Sequence, residues 1–554
     1  MNPPCTTAGS DEHGLALPQA VVASLLRAGV REVVVCAGAR NAALVAVLAR
    51  TRSLRLWSFP EERSAAFFAL GRCLALETPV AVVTTSGTAV AELLPAVIEA
   101  FYQALPLVLV TADRPRAFRG TGAPQAIDQA GIFTSYLADW GDVASLDELA
   151  AFDCALADWP WRRPVHLNVC LEEPSAAALA RAEPAIADPR PAPAAPRADS
   201  ELVETFIADA AAGPLVAVVA ALPAGEQAAV ARILQRLGCP LIAEATSGLR
   251  EAPELACQRV LAGEAALSRL PAGRVLRIGG VPSSRWWRDL EKRPGVLVLS
   301  LTPSGFPGLA RTSLVADFPD WEAVHVPDGP TVGAPDAGAR VVSTGAPSPA
   351  LCAHPCGEPA LVRARSAHIP PGSLVVLGNS LPIRDWNVFA TPVARALRVF
   401  ANRGANGIDG CVSTFLGLGA DEAESWAVVG DLTALYDLAA LWITPALPDA
   451  RRRLVVINNG GGRIFSRVAA LRGLPAEPRR LMENPHALEF RAWADMFGWD
   501  YARLTTAEDV AAAARRPEPH LLLEIAPDAA STEACWEQWA RDDDSATAGR
   551  VPPA

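Results

Sequence analysis

Two strand-to-loop junctions near the end of the chain carry residues suited to binding a small cation and a phosphate. The apolar strand 427–430 is followed directly by Asp431, and the strand 454–457 is followed by Asn458-Asn459 and three glycines. An aspartate and an asparagine at neighbouring strand ends supply two hard oxygen ligands, which suit Mg²⁺ completed by diphosphate and water. The glycines let backbone groups approach phosphates closely. Gly-Asp alone is common, but the combined pattern predicts a magnesium–diphosphate site.

A pair of acidic residues offers a group for acid–base chemistry. Glu61 and Glu62 stand directly before a predicted helix over 64–77. Carboxylates at the start of a helix interact favourably with its dipole, so the pair has a purely structural explanation when taken alone. A carboxylate that transfers a proton is the functional alternative.

The elements that must position these residues alternate between strands and helices. Helical stretches such as 64–77 and 89–103 separate short apolar runs. The predicted strands are 32–36, 79–85, 107–111, 215–219, 296–299, 373–377, 426–429, 454–457 and 521–525. Nearly continuous apolar strands between helices indicate parallel sheets covered on both faces. The predicted fold class is α/β with doubly wound parallel sheets, in which ligands bind at the carboxyl ends of strands.

Two stretches of linker composition divide the 554-residue chain into three predicted domains. The segment 188–199 is rich in proline, and the segment 327–359 is rich in proline, glycine and alanine, so both favour extended chain. The predicted domains are residues 1–187, 200–330 and 360–540, and the polar tail 541–554 is predicted to be disordered.

The composition excludes several classes of protein. Hydrophobic residues make up 51% and charged residues 20%, the balance of a globular protein. The single lysine, Lys292, lies in neither a phosphate-binding loop nor a Schiff-base context, which excludes phosphate-loop NTPases and pyridoxal enzymes. The net charge of -11 argues against a nucleic-acid partner.

Cysteine usage and hydropathy bear on the cellular location. The eleven cysteines are an odd number and are scattered, so we expect reduced thiols and no zinc site. The N-terminus does not resemble a signal peptide, and we find no run of about 18 apolar residues. We therefore expect a cytoplasmic protein without membrane insertion.

A set of motifs, ordered along the chain, resembles one family. The pattern around Asp431 and Asn459 resembles the diphosphate anchor of thiamine-diphosphate enzymes. Further motifs occupy 111–115, 119–127, 378–384, 402–410 and 430–437. Together they resemble the menaquinone-pathway synthases that make 2-succinyl-5-enolpyruvyl-6-hydroxy-3-cyclohexene-1-carboxylate. The similarity covers the first and third predicted domains, which implies a pyrimidine-binding, a central and a diphosphate-binding domain of the thiamine-diphosphate enzyme type.

The resemblance implies roles for individual residues. The metal ligands would be the Asp431 and Asn459 side chains and the Gly461 carbonyl. Glu62 would hydrogen-bond to the aminopyrimidine ring of thiamine diphosphate and thereby promote loss of the C2 proton of the thiazolium ring. Further cofactor contacts would come from Gly87, Thr88, Asn379, Ile408, Gly430 and Leu432.

The resemblance also implies the substrates, 2-oxoglutarate and isochorismate. Both are dicarboxylates, so an acidic chain must concentrate cations locally, and arginine binds a carboxylate through two parallel hydrogen bonds. Arg384 and Arg403 would contact the acceptor or the intermediate. The remaining polar partners would be Ser380, Gln125, Arg40 and Arg114. For any one arginine, a surface salt bridge is the alternative.

The implied reaction is decarboxylation of 2-oxoglutarate, followed by addition of the succinyl-semialdehyde carbanion to isochorismate. The cofactor is thiamine diphosphate with Mg²⁺, or Mn²⁺ as an alternative. The resemblance also implies a homodimer or homotetramer whose active sites lie at a subunit interface.

One loop departs from the family pattern, so alternative functions have to be considered. The family reads Pro-Gly-Ser-Arg-Ser, whereas this chain reads Ala37-Gly38-Ala39-Arg40-Asn41. Losing a hydroxyl near a substrate carboxylate would cost about 1 kcal/mol and weaken binding or alter the acceptor. Another thiamine-diphosphate carboligase and a catalytically silent relative therefore remain as alternatives. A nicotinamide-binding protein is disfavoured because no Gly-x-Gly-x-x-Gly follows a strand.

Overall fold

The strands of the protein form three separate parallel sheets. The computed structural model describes residues 14–261, 264–327, 347–468 and 471–548. Two compact units are present. The first contains the chain up to Ala195 with Ser413–Ala420 and Ala439–Pro448, and the second contains Pro196–Val412, Asp421–Leu438 and the chain from Asp449 onward. Helices connect the strands throughout, so the predicted α/β class with three doubly wound parallel sheets is confirmed.

The first sheet has six strands in the order β2-β1-β3-β4-β6-β5. The strands are β1 (Glu32–Val35), β2 (Arg55–Ser58), β3 (Val80–Thr84), β4 (Leu107–Asp113), β5 (Asp139–Val143) and β6 (Val165–Cys170). The helices of this stretch are α1 (Ala16–Arg27), α2 (Ala42–Arg50), α3 (Glu62–Leu76), α4 (Thr88–Ala91), α5 (Leu94–Gln103), α6 (Leu146–Ala155) and α7 (Ala176–Ala180). All residues of β1, β3, β4 and β6 are buried, which explains why most of them are apolar.

The second sheet has five strands in the order β11-β10-β9-β7-β8. The strands are β7 (Leu215–Val219), β8 (Leu241–Ala243), β9 (Arg274–Ile278), β10 (Leu297–Leu301) and β11 (Leu314–Ala316). The helices are α8 (Ser200–Ala208), α9 (Ala224–Leu237), α10 (Glu264–Ser268) and α11 (Arg285–Asp289). Separate apolar clusters cover its two faces, as a doubly wound sheet requires.

The third sheet has six strands in the order β13-β12-β14-β15-β17-β16. The strands are β12 (Leu374–Leu377), β13 (Arg398–Phe400), β14 (Glu424–Gly430), β15 (Arg451–Ile457), β16 (Asp500–Leu504) and β17 (His520–Ile525). The helices are α12 (Pro349–Ala353), α13 (Glu358–Ala367), α14 (Leu381–Phe389), α15 (Cys411–Leu418), α16 (Asp431–Tyr436), α17 (Ile464–Arg467), α18 (Ala476–Glu483), α19 (Arg491–Met496), α20 (Ala507–Ala513) and α21 (Ala529–Ala548).

The first and third sheets share one topology. When the strands of each sheet are numbered in chain order, both sheets have the spatial order 2-1-3-4-6-5. Strand order reverses between β1 and β3 in the first sheet and between β12 and β14 in the third. Ligands of doubly wound sheets bind at the carboxyl ends of strands near this reversal. The loops after these four strands are therefore where functional side chains should lie.

Two sequence predictions about irregular chain were partly wrong. The predicted disordered tail begins within α21, which continues to Ala548, while 549–554 lie outside the described residues. Trp536 and Trp539 pack on Phe389, at 4.9 and 5.1 Å between ring centroids, and so anchor this helix. The predicted linker 327–359 falls partly on residues that are not described, and α12 occupies part of the remainder. Residues 182–197 contain neither helix nor strand.

The cysteines in the described part of the chain, from Cys36 to Cys535, are all free. Among the same residues, no helix combines the length and apolar character needed to cross a membrane.

Candidate active site

Asp431 and the glycine turn after β15 form one site at the edge of the third sheet. The Asp431 Oδ2 accepts hydrogen bonds from the backbone N–H groups of Gly460 at 2.9 Å and Gly461 at 2.8 Å. Its Oδ1 accepts the backbone N–H of Leu432 at 2.7 Å. Gly461 has φ +131°, and a Cβ there would lie 2.5 Å from the Glu483 carbonyl oxygen, so only glycine fits this turn. The two sequence motifs are therefore physically joined.

The donor atoms at this site suit a divalent cation that carries a diphosphate. Asn459 donates from Nδ2 to Glu358 Oε2 at 2.9 Å, whereas its Oδ1 is buried and accepts no hydrogen bond. Burial raises the pKa of Asp431, although backbone N–H donors oppose this shift. A Cβ built on Gly430 would meet no atom within 4 Å, so there is open space beside the strand end. A buried oxygen without a donor and a nearby carboxylate are the hard ligands that Mg²⁺ selects.

Asn379 holds together the two loops that carry the predicted substrate groups of the third sheet. Its Nδ2 donates to the Asn402 carbonyl at 2.7 Å and to the Gly407 carbonyl at 2.6 Å. Its Oδ1 accepts from Arg403 Nη1 at 2.9 Å. The half-buried Ile408 follows directly in the loop that Asn379 binds. Asn379 thus has a structural role beside the cofactor contact that was predicted for it.

Ser380 and Arg384 lie at the start of α14. Ser380 has φ +70°, which is strained for a residue other than glycine and is typical of functional sites. Arg384 Nη1 donates to the Ser380 carbonyl at 2.6 Å. Burial lowers the pKa of Arg384, and the positive charges of Arg403 and Arg288 lower it further. An anion bound here would relieve that repulsion, which supports a carboxylate-binding pocket.

Glu62 is the first residue of α3, in the first unit. The neighbouring Glu61 caps this helix by accepting the backbone N–H groups of Arg63 and Ser64, both at 2.9 Å. Burial raises the pKa of Glu62, and the negative charges of Glu61 and Glu92 raise it further. A carboxyl group with a raised pKa is suited to exchanging a proton near neutral pH.

The loop that departs from the family pattern is closed by its own asparagine. Asn41 is fully buried, donates from Nδ2 to the Cys36 carbonyl at 2.9 Å, and accepts the Gly38 N–H at 2.8 Å on Oδ1. Arg40 Nη1 donates to the Leu171 carbonyl at 3.1 Å. The residue that replaces the family's serine therefore fixes the backbone that precedes Arg40.

A second pair of loops at the edge of the first sheet meets at Gly87. Gly87 has φ +86°, and a Cβ there would lie 3.2 Å from the Gln125 Cα. Gln125 itself is exposed and left-handed, with φ +56°. Arg114 Nε donates to the Pro124 carbonyl at 2.9 Å, so it belongs to the same loop. Thr88 is exposed at the start of α4.

A buried polar network supports these loops. Gln129 accepts the Gly87 N–H at 3.0 Å and donates to Asn168 Oδ1 at 2.8 Å. Asn168 donates in turn to Asp113 and Asp142. Burial would raise the pKa of Asp142, but hydrogen bonds from Arg119 and Asn168 outweigh it and hold the pKa below its ordinary range.

This network also includes a group of potential metal ligands. The ligand atoms of Asp113, Asp142 and Cys170 lie within 4.8 Å of one another. Arg119 Nη2 donates to Asp113 at 2.9 Å and to Asp142 at 2.6 Å. The guanidinium therefore supplies the positive charge that a metal would otherwise bring.

The predicted site residues that contact one another form three groups, and Arg40 and Glu62 lie apart from them. In the second unit, Asp431 contacts Gly461 and Leu432. Asn379 contacts Arg403, and Arg384 contacts the carbonyl of the adjoining Ser380 at the start of α14. In the first unit, Gly87 meets Gln125, while Arg40 and Glu62 lie on separate loops of the same sheet. Sequence reasoning missed the supporting residues Asn41, Gln129 and Glu358, and also His486, whose Nε2 is 3.3 Å from Asp431 Oδ2.

Comparison with known proteins identifies the family. Residues 16–132 match the thiamine pyrophosphate enzyme family, N-terminal TPP binding domain. The 2-succinyl-5-enolpyruvyl-6-hydroxy-3-cyclohexene-1-carboxylate synthase of Akkermansia muciniphila is 44% identical over 93% of this chain and 97% of its own length. The synthase of the same name from Bdellovibrio bacteriovorus is 38% identical over 95% of this chain and 98% of its own length.

A solved structure supports the fold independently. The Rhodococcus jostii RHA1 thiamine diphosphate-dependent 4-hydroxybenzoylformate decarboxylase superposes with a TM-score of 0.68 at 18% identity, over 92% of this chain and 99% of that one. The resemblance predicted from the sequence motifs is confirmed by the curated relatives. The chain belongs to the thiamine-diphosphate-dependent enzyme family of 2-succinyl-5-enolpyruvyl-6-hydroxy-3-cyclohexene-1-carboxylate synthases.

Proposed function

We propose that this enzyme decarboxylates 2-oxoglutarate and adds the remaining four-carbon unit to isochorismate. The products are 2-succinyl-5-enolpyruvyl-6-hydroxy-3-cyclohexene-1-carboxylate and CO₂, a step of menaquinone biosynthesis. The single observation that carries the proposal, beside family membership, is the contact of Asp431 Oδ2 with the N–H groups of Gly460 and Gly461. This contact joins the two halves of a diphosphate anchor at the edge of the third sheet.

Each of the three sheets would belong to one domain of the enzyme. Residues 1–187 would form the pyrimidine-binding domain, 200–330 the central domain and 360–540 the diphosphate-binding domain. Asp431, Asn459 and the Gly461 carbonyl would hold Mg²⁺, or Mn²⁺ in its place. The remaining cofactor contacts would be Gly87, Thr88, Asn379, Ile408, Gly430 and Leu432. When bound, thiamine diphosphate supplies a carbon nucleophile and an electron sink for the decarboxylation.

Glu62 holds and releases the proton on which activation of the cofactor depends. Burial raises its pKa, which favours the protonated form, and its place at the start of α3 fixes its backbone. We further propose a cytoplasmic homodimer or homotetramer, in which Glu62 of one subunit completes the Asp431 site of another. The free thiols support a reducing compartment.

Arginines concentrate positive charge for two dicarboxylate substrates on a chain of net charge -11. Arg384 and Arg403 would bind a substrate carboxylate, because their mutual repulsion is relieved by a bound anion. Arg40 and Arg114, with Gln125 and Ser380, would complete the pocket. Asn379 and Asn41 then act as supports that fix Arg403 and the Arg40 loop.

A coupled assay tests this proposal. Purified protein is supplied with thiamine diphosphate, Mg²⁺, 2-oxoglutarate and isochorismate, and the loss of isochorismate absorbance is followed. We expect loss only when 2-oxoglutarate and the cofactor are both present. Equal consumption with pyruvate in place of 2-oxoglutarate would indicate another carboligase. No consumption by protein that binds the cofactor would indicate a silent relative and overturn the proposed reaction.

A further inference from the structure

A pair of buried carboxyl groups lies behind the proposed cation site. Glu358 begins α13 and is 2% exposed, and Asp385 lies on α14 and is fully buried. Burial, and then the negative charge of Glu358, raise the pKa of Asp385 well above its ordinary range. Two adjacent carboxyl groups shielded from water cannot both ionise easily. The pair links the cation site to the helix that carries Arg384.

Glu358 is held rigidly where it faces Asn459. Its backbone N–H donates to Thr532 Oγ1 at 3.0 Å, and the Thr532 hydroxyl donates to the Asp528 carbonyl at 2.7 Å. The first-turn position in a ten-residue helix favours a carboxylate. The Glu358 backbone is therefore fixed at the position from which its side chain accepts from Asn459.

The side-chain amide of Asn459 has a donor end and an acceptor end. Because Nδ2 donates to Glu358 Oε2 at 2.9 Å, Oδ1 must face away from Glu358. That oxygen is buried and accepts no hydrogen bond, which is unfavourable unless a ligand uses it. Reversing the amide would instead place its NH₂ group toward the cation, where it cannot act as a ligand.

We propose that Glu358 is a positioning residue that orients the Asn459 oxygen toward the cation. This inference rests on the proposed function, which gives Asn459 a cation to bind. Partners that orient a metal ligand without touching the metal typically change its affinity by about 10- to 100-fold when removed. Glu358 belongs to none of the motifs that carry the family resemblance, so it adds a residue to the site.

The test compares Mg²⁺ binding by two variants with wild type. Each protein is saturated with thiamine diphosphate and titrated with Mg²⁺ by calorimetry. Glu358→Gln keeps an acceptor for Asn459 and offers its amide N–H to Asp385, so we expect Mg²⁺ affinity within about threefold of wild type. Glu358→Met keeps the length of the side chain but removes the acceptor, so we expect affinity about 10- to 100-fold lower.

A double-mutant cycle separates positioning from general stabilisation. In an Asn459→Ala background, Glu358→Met should cause no further loss of Mg²⁺ affinity, because Glu358 acts through Asn459. Circular dichroism and thermal unfolding show that each variant is folded, and Glu358→Ala replaces Glu358→Met if the latter does not fold.

Four results would contradict either the inference or the proposed function on which it rests. Wild-type Mg²⁺ affinity in the folded Met or Ala variant would overturn the inference, as would an equal loss in the Asn459→Ala background. Equal losses in the Gln and Met variants would also overturn it, because charge and not orientation would then be decisive. A wild-type protein that binds neither Mg²⁺ nor thiamine diphosphate would overturn the proposed function itself.

Discussion

Glu61 and Glu62 are adjacent carboxylates with separate tasks, because the Glu61 side chain caps α3 and Glu62 forms the first residue of the helix. The two Glu61 oxygens accept the N–H groups of Arg63 and Ser64. Glu61 therefore supplies the cap for the N–H groups of Arg63 and Ser64. Glu62 keeps a raised pKa, caused first by burial and then by the charge of its neighbour.

The first prediction separates these two roles. Glu62→Gln removes a proton-transferring group but not the cap, so kcat should fall by about 10²- to 10⁴-fold while the protein stays folded. Glu61→Gln, the matched control, should instead lower the free energy of unfolding by about 1 kcal/mol through the weakened cap. Steady-state kinetics and thermal unfolding of both variants provide the check. Full activity of Glu62→Gln would remove Glu62 from the mechanism.

The second prediction concerns recognition of the substrate carboxylates. Arg403→Met removes a charged donor that Asn379 holds in place, so kcat/KM for the acceptor isochorismate should fall by about 10- to 100-fold. Arg491→Met replaces an exposed arginine that stacks on Tyr501 and should leave kcat/KM unchanged. Kinetics with varied isochorismate at saturating 2-oxoglutarate distinguish the two variants. An unchanged value for Arg403→Met would place the substrate elsewhere.

Strand prediction succeeded where burial and an apolar composition agree, whereas β9 is one of the strands that it missed. The runs around 80–84 and 215–219 are apolar and fully buried, so their pattern was sufficient. The strand β9 was missed because it contains Arg274 and Arg277, which are also fully buried. Arg274 donates to the carbonyls of residues 206, 207 and 213, which are distant in sequence. Such acceptors cannot be recognised before the fold is known.

The candidate site shows the same limit. The cluster around Asp431 could be predicted because its parts follow neighbouring strands and have a recognisable spacing. Gln129 and Glu358 could not, because each is a lone polar residue whose partner is 42 or 101 positions away. Their supporting role depends on how separate helices and strands pack together, and no local sequence pattern indicates that packing.

The third prediction concerns the altered loop. Asn41 bridges the Cys36 carbonyl and the Gly38 N–H, and a serine side chain is too short to reach both. Asn41→Ser should therefore lower the free energy of unfolding by about 1–2 kcal/mol without raising kcat/KM. Ala39→Ser, at the exposed position where the family has its other serine, should leave stability unchanged. Chemical unfolding and steady-state kinetics test both. Higher kcat/KM for Asn41→Ser without lower stability would contradict this interpretation.

His166 is a buried imidazole at the centre of the first sheet. Its Nε2 lies 2.7 Å from Thr111 Oγ1, its ring packs edge-on against Phe133, and its Nδ1 has no hydrogen-bond partner. Burial lowers the pKa of His166 to about 3, against a small opposing effect of the Asp142 charge. The folded protein therefore keeps this histidine neutral where the unfolded chain would protonate it.

The fourth prediction follows from that difference. Because the folded-state pKa lies below the ordinary value of 6.5, the unfolded state binds the proton first, so stability is present above pH 6.5 and is lost as the pH falls toward 3. Between pH 7.5 and pH 5 this group should account for about 2 kcal/mol. His166→Gln, which cannot be protonated, should therefore lose less stability over this interval than wild type. Urea unfolding at both pH values measures the difference, with the exposed His368→Gln as a control that should follow wild type. Parallel losses in His166→Gln and wild type would show that His166 does not govern the acid sensitivity of the first sheet.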